Sequence, residues 1–100
     1  MSNAERKRPT YQRLSADEVG SALPPGWTGD TDRLTRSVTI ADPDALLERV
    51  AAIEAELDHH AKADRDGDAV MFTVWTHSKG GVTDADIELA ERISEAIDAG

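Results

Sequence analysis

Residues 70–75, Val-Met-Phe-Thr-Val-Trp, limit the possible folds of this chain more than any other segment. β-Branched and aromatic side chains dominate the run, which predicts a strand. Apolar residues occupy both alternating sets of positions, so both faces of the strand are expected to be covered. With 100 residues in the chain, there is room for one domain. We therefore expect this strand to be central, with helices on one side and a possible subunit contact on the other.

Three helices are predicted, each from a start signal. Ser15 and Glu18 form a capping box before a short helix that ends near residue 22. Asp42-Pro43 starts a second helix and Thr83 caps a third. Apolar residues at helical spacing give both long helices one buried side. These residues are Leu46, Leu47, Val50, Ile53 and Leu57 on the second helix, and Ile87, Ala90, Ile93 and Ile97 on the third.

The remaining segments complete the fold prediction. Residues 33–40 read as a strand, residues 61–68 as a charged loop, and Gly80-Gly81 as a turn. The order is helix, strand, strand, long helix, strand, helix, which lacks the parallel strands of a doubly wound fold. We predict an α+β fold, an open, largely antiparallel four-stranded sheet with helices packed on one face. The domain is expected over residues 14–100, after a disordered basic tail at 1–13.

Charge and composition exclude several classes of function. The formal net charge is −9, and the acidity lies after the tail, so the body should repel nucleic-acid phosphates. No apolar run approaches the roughly 18 residues that cross a bilayer, so no membrane partner is expected. The absence of Cys excludes a disulfide scaffold and a thiol nucleophile. With no visible secretory signal, a cytoplasmic location is expected.

The candidate chemistry lies with the three histidines of the chain, His59, His60 and His77. If the second helix packs on the central strand, all three imidazoles can converge. Imidazole gives and takes protons near neutral pH. A dehydration needs one group to protonate a leaving hydroxyl and another to remove a proton. Alternatively, His59 and His60 have no catalytic role, and the negative C-terminal pole of the helix dipole merely stabilises them there.

A metal site is the more specific alternative to acid–base catalysis, but the spacing of the histidines and carboxylates disfavours it. Three histidines can bind zinc, but helical zinc pairs come at i, i+4, which the adjacent pair lacks. Asp64-Arg65-Asp66-Gly67-Asp68 hints at a calcium loop. It places Ala69 where an EF-hand needs Gly, and Trp75 where it needs Glu. We predict no metal.

With His59-His60 and the run Thr76-His77-Ser78-Lys79-Gly80-Gly81-Val82-Thr83-Asp84-Ala85-Asp86-Ile87 in view, the sequence resembles a pterin-4a-carbinolamine dehydratase. That family has His-His-Pro and, eighteen residues after the first His, Thr-His-x-x-Gly-Gly-Leu-Thr-x-x-Asp-Ile. His59 and His77 are also eighteen residues apart. Leu23-Pro-Pro-Gly26-Trp27 resembles the Gly-Trp element of the family, and Leu34-Thr-Arg36 resembles its strand. The resemblance covers about residues 14–97.

The resemblance implies a cofactor-free enzyme of tetrahydropterin recycling, a 4a-hydroxytetrahydrobiopterin dehydratase. His59, His60 and His77 would surround the pterin as acid and base, in an order left open. Asp86, Trp27 and Ser78 are expected to bind substrate. Asp86 could orient a histidine or cap the last helix, and Trp27 could line the pocket or the core. The family also implies a homodimer or homotetramer.

Four positions depart from the family pattern. Ala61 replaces Pro, Gly67 replaces an aromatic residue, Ser78 replaces an acidic one, and Ala55 replaces a frequent Glu. Losing Pro and the aromatic ring frees the loop and removes apolar wall, which should weaken the hold on a flat pterin. The alternative is therefore a catalytically weak relative, acting as an oligomeric protein-interaction scaffold.

Overall fold

A computed structural model describes residues 10–99 of the chain. Within that part, three helices and four strands form an α+β fold, which confirms the predicted class. The helices are α1 (Ala16–Ala22), α2 (Pro43–Leu57) and α3 (Asp84–Ala99). The strands are β1 (Thr28–Gly29), β2 (Leu34–Thr39), β3 (Lys62–Asp66) and β4 (Ala69–Val74). A 3-10 turn, His77–Lys79, follows β4.

The sheet is open and antiparallel throughout, in the order β1-β2-β4-β3. The strand predicted to be central, β4, lies between β2 and β3. One face of the sheet carries buried Leu34, Phe72 and Val74, which belong to one core with apolar residues of α2 and α3. On the opposite face of β4, Met71 is 39% exposed and Thr73 is buried. That face is therefore less apolar than the sequence pattern indicates, and the subunit contact there stays a prediction.

The helix start signals act as predicted. Ser15 and Glu18 form the capping box of α1, with hydrogen bonds of 3.2 and 2.8 Å. Asp42 caps α2 through a 3.1 Å bond from the Ala45 N–H, with Pro43 in the first turn. Side-chain hydrogen bonds of this kind satisfy N–H groups that a helix leaves unpaired. Because donor and acceptor are only three residues apart, these caps can be predicted from the sequence alone.

The predicted loop at residues 61–68 is wrong, because residues 62–66 are the edge strand β3. All five side chains of β3 are exposed, so no apolar alternation marked the strand. Backbone pairing with β4 holds it instead. A signal was present in Gly67-Asp68, a two-residue hairpin connection with Gly67 at φ 61°.

An N-terminal strap, defined as residues 10–14, lies against the start of α3. The Leu14 N–H donates to the Val82 carbonyl at 3.1 Å, and Arg13 forms a bridge with Thr83. Thr10, Tyr11 and Arg13, which the sequence places in a disordered tail, form hydrogen bonds with the rest of the domain. The rest of the predicted tail, residues 1–9, lies outside the described residues.

Candidate active site

The end of α2 places His59 and His60 differently. The helix ends at Leu57, and Asp58 adopts a left-handed conformation at φ 52°, which turns the chain off the helix axis. The His59 N–H still donates to the Glu54 carbonyl at 3.1 Å. The His59 side chain is 11% exposed, whereas that of His60 is 77% exposed. Only His59 therefore faces the interior.

His59 meets the fully buried carboxylate of Asp86. Its Nε2 lies 2.5 Å from Asp86 Oδ1. The other oxygen, Oδ2, accepts from the Thr83 N–H at 2.9 Å and from the Thr76 hydroxyl at 2.8 Å. The Thr83 hydroxyl in turn accepts from the Ala85 N–H at 3.2 Å. Asp86 thus closes the cap of α3 and contacts a histidine at the same time, so the two roles considered for it coexist.

This arrangement selects one tautomer of His59. A carboxylate offers only acceptor sites, so the proton in the short contact is carried by Nε2. In the neutral ring, Nδ1 then keeps its lone pair and can accept a proton. A buried carboxylate that holds an imidazole in one orientation and tautomer is a recurring device in acid–base catalysis.

His77 lines a cavity, and the residue before it belongs to this network. The residue before it, Thr76, donates to the same Asp86 carboxylate that His59 touches. The cavity has a volume of about 360 Å³, within the range of small-molecule sites, and Asp32, Arg33, Trp75, His77 and Gly80 line it. The Trp75 and His77 ring centroids are 5.9 Å apart. The Arg33 guanidinium lies 4.8 Å from the Trp75 centroid, a cation–π contact.

The other predicted site residues lie apart from this cavity's lining. Trp27 is in the core, 3% exposed, and its indole N–H donates to the Ser94 hydroxyl at 2.9 Å. Ser78 is exposed within the 3-10 turn after β4. His60 Nδ1 lies 3.6 Å from the Glu54 carboxylate. The geometry thus links His59 and Asp86 to the segment that precedes His77, whereas His60, His77 and Ser78 are exposed.

Sequence reasoning missed several residues beside the histidines. The Glu54 carboxylate accepts from the Ala61 N–H at 2.8 Å, which fixes the segment after His60. The Tyr11 ring lies edge-on to His59 with centroids 6.0 Å apart. Asp32 and Arg33 enter the cavity from the turn before β2. Only the tertiary structure shows that these residues lie near the histidines, since no sequence motif links them to His59 or His77.

The described part of the chain has neither a cluster of metal ligands nor a membrane-spanning helix. Among residues 10–99, no group of three or more histidine and acidic side chains is arranged to hold a metal ion. Over the same residues, no helix combines the length and the apolar character needed to cross a bilayer.

The strap is attached through Asp84, and this attachment should depend on pH. Burial raises the pKa of Asp84, but hydrogen bonds from Thr10, Tyr11 and Ala85 lower it more, so the pKa lies below its ordinary value of 3.8. A carboxyl with a depressed folded pKa stabilises the fold above its unfolded pKa, and this contribution is lost as pH falls through the folded pKa.

We therefore expect an Asp84→Asn variant to lose less stability than the wild type between about pH 5 and about pH 3. Denaturant midpoints of both proteins across this range measure the difference. If stability falls equally with pH in both proteins, the hydrogen bonds from the strap do not lower the pKa of Asp84.

Fold and site together define a small α+β protein in which a buried carboxylate orients a histidine close to a cavity-lining segment. The family model described as Pterin 4 alpha carbinolamine dehydratase matches residues 12–96. The chain belongs to this family.

Individual relatives agree with that assignment. The chain is 40% identical over 92 residues to a Mycobacteroides abscessus protein provisionally named pterin-4-alpha-carbinolamine dehydratase, covering 84% of this chain and 95% of that protein. A Streptomyces coelicolor protein with the same provisional name is 41% identical over 88 residues, covering 82% and 87%. A crystal structure from Brucella melitensis, described as a transcriptional coactivator/pterin dehydratase, superposes with a TM-score of 0.81 at 28% identity. It covers 85% of this chain and 98% of that one.

Proposed function

We propose that the protein dehydrates a 4a-hydroxytetrahydropterin, without a cofactor, by histidine acid–base catalysis. The observation that carries this proposal is the 2.5 Å contact between His59 and the buried Asp86 carboxylate. Asp86 also binds Thr76, the residue before cavity-lining His77. One buried group thus supports both segments that carry candidate acids and bases. Family membership supplies the substrate class.

The reaction requires two proton movements. One imidazole in its protonated form donates to the 4a-hydroxyl as the carbon–oxygen bond breaks and water leaves. A second imidazole accepts the proton from a ring nitrogen, and the electron pair released there forms the double bond of the quinonoid dihydropterin. His59, His60 and His77 are the proposed groups. His59 Nδ1 is free to accept, because Asp86 engages Nε2.

The cavity offers features that suit a flat, polar heterocycle. The Trp75 and His77 rings provide aromatic surface. Asp32 adds acceptor oxygens at the same cavity, and the amino-pyrimidine edge of a pterin carries N–H donors. Gly67 is in the turn before β4, whereas Trp75 and His77 follow the end of β4, so the aromatic residue missing at Gly67 would not line this cavity. Ser78 and Trp27, which the resemblance assigned to substrate binding, fit less well, because Trp27 is in the core.

The test is a dehydration assay with chemically generated 4a-hydroxytetrahydropterin. Wild-type protein should exceed the spontaneous rate, and His59→Ala or His77→Ala should lower the enzymatic rate by about 10²-fold, the usual contribution of a general acid or base. Glu48→Ala, on the exposed side of α2, serves as the control and should retain full activity. A wild-type rate equal to the spontaneous one would exclude this function.

The second candidate is a non-catalytic scaffold, and the coactivator part of the Brucella melitensis protein's description, transcriptional coactivator/pterin dehydratase, favours it. Under this hypothesis a homodimer or homotetramer in the cytoplasm would present a surface to another protein. Sedimentation measures the oligomeric state of the full chain. An inactive protein that still forms a stable oligomer would favour the scaffold over the enzyme.

A further inference from the structure

The N-terminal strap is attached more firmly than a chain end needs to be. Asp84 accepts three hydrogen bonds from it, from the Thr10 N–H at 2.7 Å, the Thr10 hydroxyl at 2.9 Å and the Tyr11 N–H at 2.8 Å. Arg13 adds a 3.3 Å bond to the Lys79 carbonyl. The strap therefore joins the first turn of α3 to the loop that follows His77.

Within the strap, Tyr11 adopts an unfavourable backbone conformation. Its φ is 59°, in the left-handed region that bulky side chains rarely enter. Gly or Asn would adopt this conformation more easily. The two consecutive N–H groups that bind Asp84 hold the residue there. A strained residue kept in place by surrounding bonds is a reason to ask what its side chain does.

The Tyr11 side chain lies against His59. The two ring centroids are 6.0 Å apart and the planes meet at 73°, an edge-to-face contact. Asp86 holds the Nε2 end of the same imidazole. His59 is thus fixed by a carboxylate at one atom and by an aromatic ring beside it, and little of its side chain reaches solvent.

The positions of the aromatic residues also connect Tyr11 with the candidate site. It has only four Phe, Trp and Tyr residues. Phe72 and Trp27 are buried in the core. The other two, Trp75 and Tyr11, each lie beside a histidine of the candidate site, His77 and His59 respectively.

We propose that Tyr11 is a positioning residue for His59. Its ring closes the solvent side of the His59–Asp86 pair and limits rotation of the imidazole, while the strap and Asp84 hold Tyr11 in place. As a role in catalysis this rests on the proposed dehydratase function. The ring contact and its effect on His59 do not depend on that function.

The experiment compares Tyr11→Asn, Tyr11→Gly and Tyr11→Phe in the full chain. Asn and Gly suit the left-handed backbone but remove the ring, whereas Phe keeps the ring and removes the hydroxyl. The readout is hydrogen exchange of the His59 Nε2–H in ¹⁵N-labelled protein, which needs no substrate. We expect exchange to be about tenfold faster or more in the Asn and Gly variants, and close to wild type in Phe.

Asp84→Asn provides an independent arm, because it loosens the strap and leaves the Tyr11 ring intact. It should also speed His59 exchange. Thermal unfolding shows that each variant is folded, and Tyr11→Gly carries the test if Tyr11→Asn does not fold. Unchanged exchange in a folded ring-less variant overturns the proposal, as does a Phe variant that exchanges like Asn.

The dehydration assay separates this proposal from the proposed function. If the wild type is active, the Asn variant should lower kcat more than it changes KM, since it affects the orientation of a catalytic group. If the wild type is inactive while exchange responds as expected, the dehydratase function fails and the role of Tyr11 in holding His59 stands.

Discussion

Asp86→Asn is expected either to lower the free energy of unfolding by about 2–4 kcal/mol or to reverse the tautomer of His59, depending on which way the new amide is oriented. Both carboxylate oxygens of Asp86 accept hydrogen bonds, Oδ1 from His59 and Oδ2 from Thr83 and Thr76. An amide keeps one acceptor and replaces the other with a donor. Either orientation of Asn therefore places an NH₂ group against a donor in a fully buried site.

The two orientations have different consequences. If the amide nitrogen faces Thr83, the Thr83 N–H at the start of α3 loses its acceptor inside the protein, which costs the desolvation of that group. If it faces His59, the imidazole must accept at Nε2 and carry its proton on Nδ1 instead. The second orientation leaves the cap intact but removes the free lone pair of Nδ1, so the dehydration rate should fall about as far as in His59→Ala.

Chemical denaturation measures the stability change, and the ¹⁵N shifts of the His59 ring report its tautomer. Asp42→Asn is the matched control, since Asp42 also caps a helix with one carboxylate oxygen and Asn caps equally well. Its stability should be close to that of the wild type. Equal stability of the two variants, with Nε2–H kept in both, would show that Asp86 does not hold His59 as described.

Gly81→Ala is expected to destabilise the domain by about 2–4 kcal/mol, a large part of the stability of a small protein. A Cβ at this position would lie 2.5 Å from the Thr31 carbonyl oxygen and 2.7 Å from the Arg13 guanidinium carbon. Arg13 can move, but the Thr31 carbonyl accepts from the Val82 N–H at 2.8 Å and is backbone. The Gly81 carbonyl also accepts from the Thr76 N–H at 2.9 Å. The clash should therefore disturb the loop that carries His77.

Gly20→Ala is the control for this substitution. Gly20 is in the interior of α1, where a Cβ meets nothing within 4 Å. Ala there should stabilise the domain by about 0.5–1 kcal/mol through helix propensity. The two Gly→Ala variants should thus shift the thermal midpoint in opposite directions. A Gly81→Ala protein as stable as the wild type would mean that the Thr31 turn can move away at little cost.

Features encoded by neighbouring residues were predictable. The capping residues Ser15, Asp42 and Thr83 each start a helix, because each satisfies a backbone N–H two or three residues ahead. The central strand β4 was recognisable from its apolar run. The edge strand β3 was missed, because its side chains are exposed and only backbone pairing with β4 defines it.

The candidate site was predictable in its residue types but not in its contacts. The family motif identified His59, His77 and Asp86 as candidate site residues. Their spacing left two roles open for Asp86, which could orient a histidine or cap the last helix. The structure places Trp27 in the core, where its indole binds Ser94. Tyr11 and its attachment point Asp84 are 73 residues apart, and nothing local marks either of them as a partner of the other.

By itself the sequence determined the helices with their caps, the central strand, the α+β class and the family resemblance. These depend on interactions between residues a few positions apart or on the periodicity of apolar side chains. Only the tertiary structure decided that His59 turns inward to Asp86 while His60 turns outward, and that the Tyr11 ring lies edge-on to His59. The reason is physical: the packing of α3 against the end of α2 and the strap brings these side chains together, and no local spacing specifies that packing.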